Sequence, residues 1–247
     1  MADAEAGLPE RKRDRMKRYA RRAVPVPLSV RTSDLPKRAA SALVMLAVAG
    51  AAFWAGGVWW LVLVGCVALV CFAEFARLIW RAASLPTTRI VCLVLGAAYV
   101  TLAAVFLGTM PRFYLLLTVG SVICTDTFAY FAGRAIGGPK IAPAISPSKT
   151  WAGLAGGMAG AAVFGVLLIT VLMQLDTIPW SVGLAVAIGG LLAIAAQAGD
   201  FFESWLKRKA HLKDSSNLIP GHGGVFDRVD GLLPVAILAG LLVPAVT

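Results

Sequence analysis

Long apolar runs, separated by short polar connections, fill the chain from residue 39 onward. Seven of these runs reach or approach the length of a membrane span, at about 39–56, 58–76, 90–109, 113–133, 151–174, 180–200 and 229–246. A helix needs about 20 apolar residues to cross a hydrocarbon core of roughly 30 Å. The pattern therefore predicts an all-α, polytopic integral membrane helical bundle of about seven transmembrane helices. The first two runs touch, which predicts a helical hairpin with a very short turn.

The composition agrees with a membrane bundle, because 59% of the 247 residues are hydrophobic and only 15% are charged. A soluble domain of this length would need more charge to cover its surface. Four cysteines, Cys66, Cys71, Cys92 and Cys124, all fall within predicted spans. They lack the paired spacing of metal ligands, so we interpret them as apolar packing residues.

The basic residues are divided unevenly between the two sides of the predicted bundle. With the N-terminus in the cytoplasm, 22 of the 23 Lys and Arg residues lie inside and only Arg112 lies outside. The inside segments are 1–38 and the connections around 77–89, 134–150 and 201–228. This asymmetry follows the positive-inside rule. Membrane topology thus accounts for the net charge of +10, and no nucleic-acid partner is expected.

Carboxylates gather near the cytoplasmic half of the predicted spans. Eight acidic residues lie beyond the N-terminal segment, and all but Asp176 share this location: Glu74, Asp126, Asp200, Glu203, Asp214, Asp227 and Asp230. A carboxylate at membrane depth is costly unless it has a partner, a metal ion or a water-filled cavity. Asp227 and Asp230 are three residues apart, which places them on one face of a helix. Pairing with interfacial Arg and Lys is the alternative interpretation for each single Asp.

Residues 133–157 contain groups that suit an anion. Pro147, Ser148, Lys149 and Thr150 precede the fifth predicted helix, and a helix N-terminus with hydroxyls and a lysine binds anions well. An N-cap followed by an interfacial lysine explains the same residues. The glycines Gly153, Gly157 and Gly160 predict close packing of this helix against a neighbour.

Residues 197–230 hold cations and carboxylates together, with no evident helical salt-bridge ladder. The cations are Lys207, Arg208, Lys213 and Arg228, and the carboxylates are Asp200, Asp214, Asp227 and Asp230. Such a mixture suits a polyphosphate that is held through a divalent metal ion. Glycines at 221, 223 and 224 around His222 let the backbone approach a ligand closely. The residues therefore predict a metal-assisted phosphate site that opens to the cytoplasm, without a Walker-type loop.

These residues resemble the signature of the phosphatidate cytidylyltransferases, also called CDP-diacylglycerol synthases. The matching positions are Ser204, Lys207, Arg208, Lys213, Asp214, Ser216, Ile219, Pro220, His222, Gly223, Gly224, Asp227, Arg228 and Asp230. Two further blocks match upstream, one from Asp126 to Thr150 and one at Gln197–Asp200. The resemblance is strong over 126–230 and is only a hydropathy match before that.

The resemblance implies an enzyme that joins CTP and phosphatidate to give CDP-diacylglycerol and pyrophosphate. It places magnesium on Asp200 and Asp227, with a companion potassium ion. The lipid phosphate would attack the α-phosphorus of CTP, and alignment and charge neutralisation would supply catalysis. The family also suggests a homodimer in the cell (inner) membrane, with CTP, phosphatidate and the lipid bilayer as partners.

The remaining assignments are hypotheses from the same resemblance. The phosphate groups of nucleotide and lipid would be bound by Lys207, Arg208, Lys213 and Arg228. The catalytic residues would be Asp200, Lys207, Asp227 and Arg228. Ser146, Lys149 and Thr150 would form the nucleotide cradle. The cavity would be completed by Asp214, Asn217, His222 and Asp230. One position departs from the family, since Ala152 stands where a Glu usually follows the Lys-Thr pair.

Three parts of the chain follow from these predictions. Residues 1–38 form a basic, mobile cytoplasmic segment, 39–125 form the N-terminal transmembrane helices, and 126–247 form the catalytic membrane domain. A CTP-dependent lipid or polyprenol kinase is the alternative within membrane phosphate enzymes, and its products would be CDP and a lipid phosphate. An ion-coupled transporter also needs carboxylates at membrane depth, but it would be expected to show repeat symmetry, which the sequence lacks.

Overall fold

The structure is a bundle of long helices with one small β-hairpin. It is a computed structural model, and it describes residues 35–172 and 182–246. The long helices are α1 (Leu35–Ala55), α2 (Gly57–Ala82), α3 (Pro86–Thr109), α4 (Arg112–Ala135), α5 (Trp151–Leu172) and α6 (Val182–Lys209). The shorter elements are β1 (Lys140–Ala142), β2 (Ser146–Thr150), α7 (Phe226–Val229) and α8 (Leu232–Val246).

Six helices in the described ranges are long and apolar enough to cross a membrane, and they are α1 to α6. The predicted all-α, multi-pass membrane bundle is therefore confirmed. The seventh predicted span differs in detail, because a single turn, α7, precedes a separate helix, α8, of 15 residues. At 1.5 Å per residue α8 is about 22 Å long, which is less than the hydrocarbon thickness.

The turn between α1 and α2 is as short as the sequence predicted. Gly56 and Gly57 have φ angles of 65° and 50°, a left-handed conformation that glycine adopts without steric cost. α1 ends at Ala55 and α2 begins at Gly57, so one residue separates the two helices. At this turn the Arg112 guanidinium donates a hydrogen bond to the carbonyl oxygen of Trp54, at 3.3 Å.

Helices α4 and α5 pack closely because glycines line their interface. A Cβ atom added at Gly153 or Gly157 would lie 3.0 Å from a carbonyl oxygen of α4, and one at Gly160 would lie 2.6 Å from the Phe128 ring. The predicted packing role of these glycines is confirmed. Because of this close packing, the C-terminal end of α4 and the N-terminal end of α5 meet directly beside β2.

The main apolar core joins α2, α3 and the cluster around α7. Phe226 of α7 is 1% exposed, and its ring meets that of Phe75 edge-on at 6.1 Å. Burying such a side chain is worth about 1.5–3 kcal/mol. Cys71 belongs to the same core and all four cysteines are free, within α2, α3 and α4. The core therefore fixes α7, and with it Asp227, against α2.

The sequence analysis did not predict a β-hairpin. β1 and β2 pair antiparallel, with Lys140 opposite Thr150 and Ala142 opposite Ser146. With three and five residues and prolines at 139, 143 and 147, these strands show no polar–apolar alternation that could have predicted them. The hairpin carries Lys149 to the first turn of α5.

Several predictions concern residues outside the described ranges. Residues 1–34 of the basic segment 1–38 lie outside the described ranges, and so does Asp176. The division of the chain at 38 and 125, and the cytoplasmic location of the N-terminus, remain predictions.

Candidate functional site

One face of α6 carries charged residues through an otherwise apolar bundle. Asp200, Glu203 and Lys207 lie at spacings of three and four residues, which places them on the same side of the helix. This face meets β2 at its Asp200 end and α7 at its Lys207 end. Asp227 and Asp230 both turn toward α6, in agreement with their predicted common face.

The Asp200 end opens to a polar cavity of about 400 Å³. Lys149 of β2 donates a hydrogen bond to Asp200 Oδ2, and the two side chains remain 18% and 20% exposed. The cavity is lined by Asp126, Ala129, Tyr130, Gly133, Arg134, Ser148, Lys149, Thr150, Gly153, Leu154, Gln197 and Asp200. It thus joins the three sequence blocks at 126–134, 148–154 and 197–200.

The Asp227 end is closed and densely hydrogen-bonded. Lys207 Nζ lies 2.5 Å from Glu203 Oε2 and 2.7 Å from Asp227 Oδ1. Asp227 Oδ2 accepts hydrogen bonds from the Ser215 amide (2.9 Å), the Ser215 hydroxyl (2.8 Å) and the Gly224 amide (2.8 Å). Burial alone would raise the pKa of Asp227, but side-chain hydrogen bonding with Glu203 and Lys207 and the donors of Gly224 and Ser215 outweigh it. The pKa is therefore well below its ordinary value, and Asp227 is a firmly ionised acceptor.

Asp230 links the two ends of the charged face. Its carboxylate accepts a hydrogen bond from the Gly231 amide at 2.9 Å, and a Cβ at Gly231 would lie 3.2 Å from Asp200 Oδ1. Burial, followed by the nearby charges of Asp200 and Glu203, raises the pKa of Asp230 to about 9. Like charges therefore crowd this part of the site, and a cation would relieve them.

The donor chemistry of this face fits a magnesium ion. Four carboxylates (Asp200, Glu203, Asp227 and Asp230) face two lysines (Lys149 and Lys207), and carboxylate oxygens are the ligands that magnesium prefers. Glu203 Oε1 is buried and has no hydrogen-bond partner in the described part of the chain. In residues 35–172 and 182–246, however, no three His, Cys, Asp or Glu side chains are grouped closely enough to hold one ion together. Lysines occupy the oxygens of both predicted ligands, so an ion there would take the place of a lysine contact.

The loop at 219–224 is held by α1 and by Arg228. Ser41 Oγ lies 2.8 Å from His222 Nδ1 and 3.2 Å from the carbonyl oxygen of Pro220. The Arg228 guanidinium donates two hydrogen bonds, at 2.7 and 3.1 Å, to the carbonyl oxygen of His222. Gly221 and Gly223 have φ angles of 77° and 86°, which few other residues adopt. His222 and Arg228 therefore shape this loop and do not line the polar cavity.

The other predicted residues occupy varied positions. Thr150 lines the cavity and also accepts a hydrogen bond from the Gly153 amide at 3.0 Å, so the helix-cap interpretation holds as well. Ser146 is buried at the start of β2, and Arg208 reaches the carbonyl oxygen of Ile145 at 3.4 Å. Three predicted residues, Lys213, Asp214 and Asn217, are exposed on the connection between α6 and α7. Asp214 nevertheless lies near the Asp227 end, since a Cβ at Gly223 would lie 3.5 Å from Asp214 Cβ and 2.9 Å from Asp227 Oδ2.

Comparison with known sequences decides the family. The profile of the Cytidylyltransferase family matches residues 80–245, about two thirds of the chain. The chain belongs to this family. The recognised resemblance is thereby confirmed, and the match includes all the residues predicted for the site.

Three relatives of this chain, each named phosphatidate cytidylyltransferase, show the extent of the similarity. The Brucella abortus protein is 54% identical over 114 residues, which are 46% of this chain and 40% of the relative. The Rickettsia bellii protein is 38% identical over 136 residues (53% and 59%), and the Bacillus subtilis protein 34% over 148 residues (55% and 54%). The match thus spans about half the length of these relatives.

Sequence reasoning missed three residues of the site. Glu203 forms an i,i+4 ion pair with Lys207, a single pair that the sequence analysis did not identify. The spacing of these two residues was a signal that could have found it. Ser215, which is fully buried, and Glu74 had no such signal, because they meet across 141 residues of chain.

Proposed function

We propose that this chain is a phosphatidate cytidylyltransferase, which converts CTP and phosphatidate to CDP-diacylglycerol and pyrophosphate. The observation that carries the proposal is the arrangement on α6 of a polar cavity and an apolar groove, on opposite faces of the same turns. Gln197 and Asp200 line the polar cavity, whereas Ala198, Phe202 and Trp205 line the groove. An enzyme that joins a water-soluble nucleotide to a lipid needs both.

The polar cavity suits the nucleotide. Its walls contain Lys149 and Arg134 as cations and Ser148 and Thr150 as hydroxyl donors, at the start of the 22-residue helix α5. Phosphates bind favourably where free amides, hydroxyls and cations meet at a helix N-terminus. A volume of about 400 Å³ lies within the range of small-molecule sites.

The apolar groove suits the acyl chains of the lipid. It has a volume of about 720 Å³ and runs between α2, α3 and α6, with Lys209 among its lining residues. Its wall at Gly199 adjoins Asp200, and a Cβ there would lie 2.2 Å from the carbonyl oxygen of Asp230. Lys209 would pair with the phosphate of a lipid whose chains lie in the groove.

The reaction needs little covalent chemistry from the protein. An oxygen of the lipid phosphate, ionised at neutral pH, bonds to the α-phosphorus of CTP, while the bond to the bridging oxygen breaks and pyrophosphate leaves in line. Lys149, Lys207, Arg134 and Arg208 would neutralise the phosphates and align the two substrates. Asp200 and Asp227 would hold magnesium, which when bound supplies positive charge to the triphosphate. The companion potassium ion, the homodimer and the cytoplasmic face of the cell membrane belong to the same proposal.

Two labels on CTP test the proposal with purified protein in detergent, phosphatidate and magnesium. We expect a cytidine label to enter the lipid phase with release of pyrophosphate, and we expect chelation of magnesium to stop it. Asp227→Asn is the matched inactive variant. A γ-phosphate label in the lipid phase, with CDP in the water phase, would instead show a kinase and overturn the proposal.

A further inference from the structure

A buried carboxylate on α2, outside the residues matched to the family, contacts the loop before α7. Glu74 is 5% exposed and lies in a helix that is otherwise apolar for most of its length. A carboxylate buried in such a helix is costly unless its oxygens are fully hydrogen-bonded. Its contacts therefore indicate what it does.

Four donors from one short segment meet the two oxygens of Glu74. Oε2 accepts from the Ser215 hydroxyl (2.9 Å) and the Phe226 amide (2.7 Å). Oε1 accepts from the Ser216 hydroxyl (2.5 Å) and the Val225 amide (3.1 Å). Hydrogen bonds to an ionised acceptor are about twice as strong as neutral ones. Glu74 thus ties both ends of the segment 215–226 to α2.

The Ser215 hydroxyl connects Glu74 to the charged face. Its oxygen lies 2.9 Å from Glu74 Oε2 and 2.8 Å from Asp227 Oδ2, so one hydroxyl proton serves two carboxylates. Gly224 fits beside this contact only because it lacks a side chain. A Cβ there would lie 2.0 Å from Ser215 Oγ and 2.5 Å from Glu74 Oε2.

We propose that Glu74 is a positioning residue for the nucleotidyl transfer, which acts through Ser215 and the Val225 and Phe226 amides to fix the place of Asp227. It touches neither substrate. The inference rests on the proposed function, and it extends the site to a residue of α2 that lies before the family match, which begins at residue 80.

Glu74→Gln tests this with little change in shape. The amide keeps one acceptor oxygen, but in either orientation its NH₂ group faces one backbone amide, which loses its acceptor, and one Ser hydroxyl, which must accept where it donated before. We expect kcat for CDP-lipid formation to fall about 10–100-fold, the size typical of residues that support a ligand-holding group. KM for CTP should change less than about threefold, because the polar cavity is untouched. Thr109→Val, which removes an exposed hydroxyl bonded to its own helix, is the control and should retain activity.

A double-variant cycle separates positioning from general destabilisation. If Glu74 acts through Ser215, the double variant Glu74→Gln/Ser215→Ala should have a kcat within about threefold of that of the less active single variant. Multiplied effects of the two substitutions, or a KM change as large as the kcat change, would overturn the proposal.

Amide hydrogen exchange gives a readout that does not depend on turnover. Glu74→Gln should speed exchange in peptides covering 213–228 and leave those of α4 and α5 unchanged. Wild-type exchange in 213–228 would contradict the inference. If the wild-type protein forms no CDP-lipid, the proposed function fails while this measurement still tests Glu74. Should Glu74→Gln not fold, Ser216→Ala removes one of the four bonds, and exchange and kcat equal to the wild type would overturn the proposal in its place.

Discussion

The two ends of the charged face on α6 are built differently. At one end Asp200 has Lys149 as its cation, next to an open polar cavity, and about a fifth of each side chain is exposed. At the other end the Asp227 side chain is only 6% exposed and accepts one hydrogen bond from Lys207 and three from the loop before α7. One carboxylate is thus partly open to solvent, and the other is enclosed by its hydrogen-bond donors.

The difference indicates a division of labour in the proposed reaction. A site that positions a substrate needs groups whose geometry is set before the substrate arrives. A site that accepts a charged ligand needs groups that can exchange one cation for another. The closed Asp227 end suits the first requirement and the open Asp200 end the second.

Replacing each aspartate by asparagine tests this division most strongly. We expect Asp227→Asn and Asp200→Asn each to reduce CDP-lipid formation at least about 100-fold, because both lose a charge at the reacting phosphates. Only Asp227→Asn should lower the melting temperature, by roughly 2–10 °C, since it disturbs buried donors worth about 1–3 kcal/mol each. Equal melting temperatures for the two variants would remove the distinction between the ends.

The lysines that pair with these two aspartates should differ in the same way, one affecting folding and the other the binding of CTP. Lys207→Met leaves Glu203 and Asp227 without their shared cation, and breaking a buried pair costs about 3–5 kcal/mol, so little folded protein is expected. Lys149→Met should remain folded and raise KM for CTP about tenfold. The yield of monodisperse protein and the CTP dependence of the rate measure the two effects.

A substitution at Gly224 tests the closed Asp227 end without changing any charge. Gly224→Ala would force its new methyl group onto the Ser215 hydroxyl, and we expect kcat to fall about tenfold as Asp227 shifts. Gly65→Ala on α2 is the matched control, because a Cβ at Gly65 meets nothing within 4 Å. Equal rates for the two alanine variants would mean that the closed end tolerates displacement.

The apolar groove should give the smallest effect. Ala198→Phe places a ring in the groove beside α6, and we expect a three- to tenfold preference for short-chain over long-chain phosphatidate. Ala104→Phe fills a second apolar groove, of about 470 Å³, at the other end of α2 and α3 and is the control. The ratio of rates on the two lipids measures the effect, and the same ratio in both variants would assign the acyl chains elsewhere.

Much of the fold was predictable because membrane helices are specified by local composition. Apolar runs gave six spans, and Gly153, Gly157 and Gly160 gave the close contact of α4 with α5. The break between α7 and α8 was missed because Asp230 and Gly231 were included in the seventh apolar run, although Pro234 in the first turn of α8 indicates a new helix start. The hairpin β1–β2 was missed because its strands are too short to show a period.

The site was predictable wherever its residues are close in sequence or share a motif. Asp200 and Lys149 were each predicted as site residues from the blocks that carry the resemblance, although their pairing was not predicted. Glu74 meets Ser215 only through packing of α2 against α7. No local spacing reports such a contact. The exposed position of Lys213, Asp214 and Asn217 also depends on how the loop closes, which the sequence does not state.

The floor of the polar cavity includes two glycines from opposing helices, Gly133 and Gly153. A Cβ on either would meet Thr150 Oγ1 at 3.1 Å, so bare backbone forms this part of the wall. Backbone atoms have no rotamers, so this part of the wall cannot adjust to a larger ligand as a side chain could. The distance between the axes of α4 and α5 therefore limits the size of a ligand at this part of the cavity. Only a movement of whole helices could change that limit.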